Sequence, residues 1–146
     1  MLVIGANLRK EQPLLTARLR RAAGNGSQVS IVAANKEQLF MPLLAQETVH
    51  PAQWADCLKN LAADLENGIA GSLKNAEKAF VLLGADAQNH PDYAAVYAAA
   101  QELADATGAS LGILPQAANS VGADVLGFDG GSITEMLAQP KQGVLL

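Results

Sequence analysis

The chain has 146 residues, half of them hydrophobic and only 16% charged, which marks it as globular rather than disordered and suits one domain burying about 68–70% of its unfolded surface. No apolar run approaches the roughly 18 residues of a membrane span, and the first run ends at Gly5 ahead of Arg9 and Lys10, so neither direct membrane insertion nor a secretory leader is expected. A net charge of −4 with 4% aromatic residues argues against nucleic acid, and a single cysteine excludes an internal disulfide, a cysteine-based zinc site and an iron–sulfur cluster held by this chain alone.

The charge is uneven. Residues 1–36 hold six basic residues and one acid, whereas residues 37–146 hold four basic residues and thirteen acids. Arg9, Lys10, Arg18, Arg20 and Arg21 are half of all the basic residues. They read either as the solvated face of the first long helix or as an electropositive contact surface for a protein partner or an anionic ligand.

In chain order, Leu2 to Ile4 predicts a strand, Gly5-Ala6-Asn7 a turn, and Pro13 the first turn of a helix, where its missing N–H costs nothing. Leu15, Leu19 and Ala22 repeat at helical spacing until Gly24-Asn25-Gly26 stops the helix, and Val29 to Val32 predicts the second strand. Strand, helix, strand in about thirty residues is a parallel βαβ unit, right-handed almost without exception.

Gln38 to Leu44 reads as a short helical or coil segment, with Pro42 against anything longer. Thr48-Val49 reads as a short third strand closed by His50-Pro51. Residues 52–66 form an amphipathic helix with Trp54, Leu58, Leu61 and Leu65 on one face. Trp54 is expected as a core anchor and Cys57 as a buried or half-buried structural thiol. Residues 67–78 read as a polar linker.

The opening pattern then returns. Ala79 to Leu83 runs into Gly84-Ala85-Asp86, Pro91 opens a helix, and Leu111 to Leu114 predicts a fifth strand. VIGAN and LLGAD align without a gap, with prolines 8 and 7 residues past their glycines. Two such units fit the halves of one doubly wound sheet, a three-layer α/β architecture of about five to six mainly parallel strands. The helix after Pro91 places Tyr93, Val96, Tyr97, Ala100, Leu103 and Ala104 on one stripe.

Residues 115–131 show little periodicity, which suggests a functional or interface loop. Ser132 is expected to cap a short last helix through Leu137, and Gly143 to Leu146 reads as a sixth strand. A chain that starts in one strand and stops in another is expected to be a segment of a longer polypeptide, organised as one domain over residues 1–146.

Catalytic signals are scarce. A dinucleotide fingerprint needs three glycines, and Gly5-Ala6-Asn7-Leu8-Arg9-Lys10 supplies the first alone. At the second turn a helix N-terminus favours an anion by about 0.3–1 kcal/mol. A carboxylate about 4 Å away opposes it by roughly 1 kcal/mol in water and about 4 at an effective dielectric of 20. Asp86 therefore disfavours a phosphate there unless it bonds a ribose or base. His50 and His90 precede prolines with no carboxylate motif, which argues against a metal site. Neither a phosphate-loop motif nor a nucleophile elbow is present. The residues point to a binding or scaffolding domain, with a nucleotide- or pterin-binding module as the alternative and a small enzyme of unknown class as a third.

Several of these stretches carry a resemblance. Gly5-Ala6-Asn7-Leu8-Arg9-Lys10 with Pro13-Leu14-Leu15 and Arg18-Leu19-Arg20, then LLGADAQNHP, Gln116 to Gly122, and MLAQP before the last strand, resemble the molybdopterin-oxidoreductase superfamily over essentially the whole chain. The version most resembled is that of the large iron–sulfur subunit of bacterial respiratory complex I, the NADH–quinone oxidoreductase. The resemblance implies a Rossmann-like domain from the C-terminal part of that subunit. In cofactor-bearing relatives, turns such as Gly5, Ala6, Asn7 and Gly84, Ala85, Asp86 help hold a nucleotide-linked pterin. Here those six residues are expected to be vestigial, because Ala33-Ala34-Asn35 stands where such relatives often have an Asp-Pro-Arg-like stretch. What the resemblance implies is no cofactor, metal or catalytic residue in this segment, with the iron–sulfur clusters elsewhere in the parent subunit. Its partners would be other parts of that subunit and neighbouring complex I subunits, on the cytoplasmic side of the bacterial inner membrane.

Overall fold

Short runs of Leu, Val and Ile build the centre of the molecule, because strands buried on both faces need apolar residues at successive positions. In the computed structural model, which describes residues 1–66, 68–127, Thr134 and Ala138, five strands form one sheet. They are β1 (Leu2–Ile4), β2 (Ser30–Ala33), β3 (Ala45–Thr48), β4 (Phe80–Leu83) and β5 (Ser110–Ile113), in the order β3-β2-β1-β4-β5. Every pairing is parallel, and Val3 stands between Ile31 and Leu82.

Alternate residues of the same strands enter different cores. On one face Leu2, Ile4, Val32, Val81 and Leu83 pack with three helices, α3 (Trp54–Ala63), α4 (Gly68–Lys74) and α6 (Tyr93–Thr107). On the other, Val3, Ile31 and Ala33 pack with Leu8 of α1 (Leu8–Glu11), Leu19 of α2 (Pro13–Gly24) and Leu39. The chain is thus an α/β, Rossmann-like three-layer structure with an all-parallel sheet, as the repeated βαβ pattern predicts. Each fully buried Leu or Ile contributes about 1.5–3 kcal/mol relative to exposure. Residues 1–116 make one compact unit, and residues 117–146 make a second.

The differences from expectation are local and have physical causes. The supposed linker at 67–78 contains α4, whose Ile69, Ala70 and Leu73 are buried. Packing of that stripe overrides the weak helix propensity of Gly68 and Gly71. The helix foreseen at 52–66 is a 3-10 turn (Pro51–Gln53) followed by α3, which stops at Asp64. β3 lies earlier than expected because its register is fixed by β2: Leu44 N donates to Val29 O and Val49 N to Ala33 O. In α6, Tyr97 is exposed, while Ala99 and Thr107 join the buried stripe. Residues 38–44 form neither helix nor strand, which agrees with the coil reading of Gln38 to Leu44. The loop foreseen at 115–131 includes α7 (Ser120–Val125), in the second unit. The helix expected from Ser132 and the sixth strand lie outside the described residues.

Candidate functional site

β1 runs on to β2 at one side and β4 to β5 at the other, so the strand order reverses between β1 and β4. Ligands of doubly wound sheets bind outside the carboxyl ends of the strands at such a reversal. Both Gly-Ala turns sit there, which brings together Gly5, Ala6 and Asn7 with Gly84, Ala85 and Asp86.

The two turns interlock. Gly5 N donates to Val32 O at 2.9 Å and Gly84 N to Ile4 O at 2.8 Å. A Cβ on Gly84 would overlap the Ala6 Cβ and the Gly5 carbonyl oxygen. Gly5 has φ +57°, and a Cβ there would lie 2.7 Å from Ala87 N and 2.8 Å from Trp54 Cζ3. Trp54 is 1% exposed, donates its indole N–H to Val49 O at 3.0 Å, and stands beside the His90 ring. The tryptophan is thus a core anchor beneath the first turn.

Several main-chain donors at both turns already have partners. In the second, α5 (Ala85–Gln88) begins with Asp86 N and Ala87 N donating to Gly5 O at 2.9 and 3.3 Å. In the first, Leu8 N donates to Glu37 Oε2 at 3.1 Å and Asn7 N to Glu11 Oε2 at 3.2 Å, while Asn7 Oδ1 accepts from Lys10 N at 3.3 Å. The chain's own carboxylates occupy the positions an anionic ligand would take at a helix start. Burial pushes the Glu37 carboxyl above the usual glutamate range and the Glu11 charge adds to this, against the lowering by the Leu8 N–H and Arg9.

Two open clefts flank the corner. One of about 360 Å³ is lined by Asn7, Arg9, Lys10, Lys36 and Glu37, the other of about 260 Å³ by Glu11, Gln12, Ala85, Leu114 and Pro115. Asp86 is exposed and makes no side-chain hydrogen bond among the described residues. Gln88 closes the floor: its amide donates to Leu114 O at 2.7 Å and Gly84 O at 3.0 Å, tying β4 to the end of β5.

The functionally telling residues that the sequence does not flag are Glu37 and Gln88. Glu37 reaches a donor 29 positions away, and no local pattern encodes that. Glu11 has a faint signal, a carboxylate one turn after the capping Asn7.

The remaining chemistry-bearing residues lie elsewhere. His50 and His90 each accept through Nδ1 from the N–H two residues on, Ala52 at 3.3 Å and Asp92 at 3.0 Å, so both close proline turns. Cys57 is half-buried on α3, in a cleft of about 640 Å³ with Glu47, Asp56 and Asp64. Burial, then the Glu47 charge, pushes its thiol up. Among the described residues, no group of three or more His, Cys, Asp or Glu could hold a metal ion, and no helix is long and apolar enough to cross a membrane.

Twin strand-to-helix corners at the reversal point of an all-parallel sheet are the frame on which a nucleotide-linked cofactor is carried. The family model for molybdopterin oxidoreductase matches residues 1–145, and the chain belongs to the molybdopterin oxidoreductase family.

Proposed function

We propose that this chain is a non-catalytic scaffold domain of the peripheral arm of a bacterial NADH–quinone oxidoreductase, in which the family's pterin site has been lost. In that enzyme electrons pass from NADH through iron–sulfur clusters to quinone. The domain would contribute shape and contacts, against the rest of its own subunit and its neighbours on the cytoplasmic face of the membrane. The order and spacing of Gly5 to Lys10, Gly84 to Pro91 and Gln116 to Gly122 support the complex I assignment through their likeness to its large iron–sulfur subunit.

The observation that carries the loss is the capture of the corner's donors. A pyrophosphate-linked pterin needs free N–H groups and close backbone approach. Leu8 N faces Glu37, Asn7 N faces Glu11, and Asp86 N and Ala87 N face the Gly5 carbonyl. The exposed carboxylate at the second corner would repel a phosphate, and at the first corner Glu11 and Glu37 already accept from N–H groups that would bind one. The residues present do not fit the group.

Isothermal titration of the full chain with guanosine diphosphate and with nicotinamide nucleotides tests this. Heats that fit no one-to-one site below millimolar concentration are expected, together with protein free of molybdenum and pterin. A stoichiometric site in that range, or a pterin recovered from purified protein, would establish the alternative of a nucleotide- or pterin-binding module.

A further inference from the structure

Among the described residues, no basic residue in the first quarter of the chain forms an ion pair. The one ion pair among the described residues is Lys74 with Glu66. Lys10, Arg18, Arg21 and Lys36 therefore have no described carboxylate within 4.0 Å. The spacing of Leu14, Arg18 and Arg21 puts them on one stripe of α2, opposite the buried Thr16, Leu19 and Ala23. Leu14 is 79% exposed on that stripe.

Beside α2 runs an irregular segment that the arginines hold in place. Arg9 Nη1 donates to Gln38 O and Arg20 Nη2 to Leu39 O, both at 3.2 Å. The Arg9 guanidinium also lies 5.2 Å from the centre of the Phe40 ring. Phe40 has φ +53° and is 61% exposed. A bulky side chain in left-handed backbone is disfavoured, and burial of this ring within the chain does not offset that. Two arginine clamps thus hold a strained turn that presents an aromatic ring to solvent.

We propose that the outer stripe of α2 and the Phe40 turn form a docking surface for an acidic protein segment that also carries apolar side chains. Arginine and aromatic rings are enriched among interface anchors, and cations without a described carboxylate partner select a carboxylate-bearing partner. A nucleic acid is a poorer occupant. Glu11 and Glu37 interrupt the basic surface, and the Phe40 ring has a guanidinium on its face instead of a free stacking platform. The surface extends the scaffold reading but rests on charge and exposure alone. A pterin found at the twin corners would end that reading and leave this one standing.

The test uses fluorescence anisotropy on the full chain with a labelled peptide of glutamates and spaced leucines, its glutamine counterpart, and a single-stranded oligonucleotide. The glutamate peptide should bind, more weakly as salt rises, and the Arg18→Glu, Arg21→Glu double variant should lose about tenfold or more in affinity. Phe40→Gly removes the ring and suits the left-handed turn, so affinity should fall while the melting temperature holds or rises. Equal binding of the glutamine peptide, tighter binding of the oligonucleotide, or unchanged affinity in the charge-reversed variant would each overturn the proposal.

Discussion

The two corners differ by one letter over three residues, yet they are built differently. Gly5 is needed for its backbone, since φ +57° is a left-handed conformation. Gly84 has φ −87°, accessible to any residue, and is needed for space, because Ala6 and the Gly5 carbonyl fill the place of its side chain. At the first corner the Asn7 and Leu8 N–H groups go to carboxylates, and at the second those of Asp86 and Ala87 go to the first corner's carbonyl. Near-identical motifs therefore fit against each other as lock and key.

The strongest way to break this comparison is to fill the gap between the corners. Gly84→Ala drives a methyl into backbone and the Ala6 Cβ, so it should destabilise by about 3 kcal/mol, near the upper end for overpacking. Adding Ala6→Gly removes one obstructing group and should recover part of that loss in urea unfolding. For Gly5→Ala the same partner should rescue nothing, because the new methyl meets Ala87 and Trp54 and the backbone hand costs about 1–2 kcal/mol in its own right. Equal rescue in both backgrounds would show that the corners are alike after all.

A smaller effect sharpens the contrast at the third position. Asn7 caps α1 through Lys10 N, so Asn7→Ala should cost about 1 kcal/mol in the same measurement. Asp86, exposed and without a described side-chain partner, should tolerate Asp86→Ala within about 0.5 kcal/mol. A larger loss at Asp86 would mean that its carboxylate holds something in the fold.

The smallest effect is read against pH. The folded chain holds the Glu37 proton to higher pH than the unfolded chain does, because burial outweighs the Leu8 hydrogen bond. Through this group, stability should fall as pH rises through about 4.5, where the unfolded carboxyl is half ionised, until the folded carboxyl has ionised as well. Glu37→Gln keeps an acceptor for Leu8 N and removes the titration, so the urea midpoint should decline less over that window. An unchanged profile would remove Glu37 from the account of the first corner.

Much of this protein is local and was written in its residues. Apolar runs bounded by glycine or asparagine specify β1, β2 and β4, Pro13 and Gly24 bracket α2, and the repeat of VIGAN in LLGAD predicts both corners and the doubly wound sheet. Each of these depends on periodicity or turn chemistry within a few neighbouring residues. Tertiary structure alone decided that Gly84 has no room for a side chain, that Glu37 closes a donor 29 residues away, and that Gly68–Lys74 forms a helix once Ile69 and Leu73 have a core to enter. The reason is the same in all three cases. Steric exclusion, long-range capping and burial depend on what the folded chain brings alongside, and a short window of sequence does not contain its future neighbours.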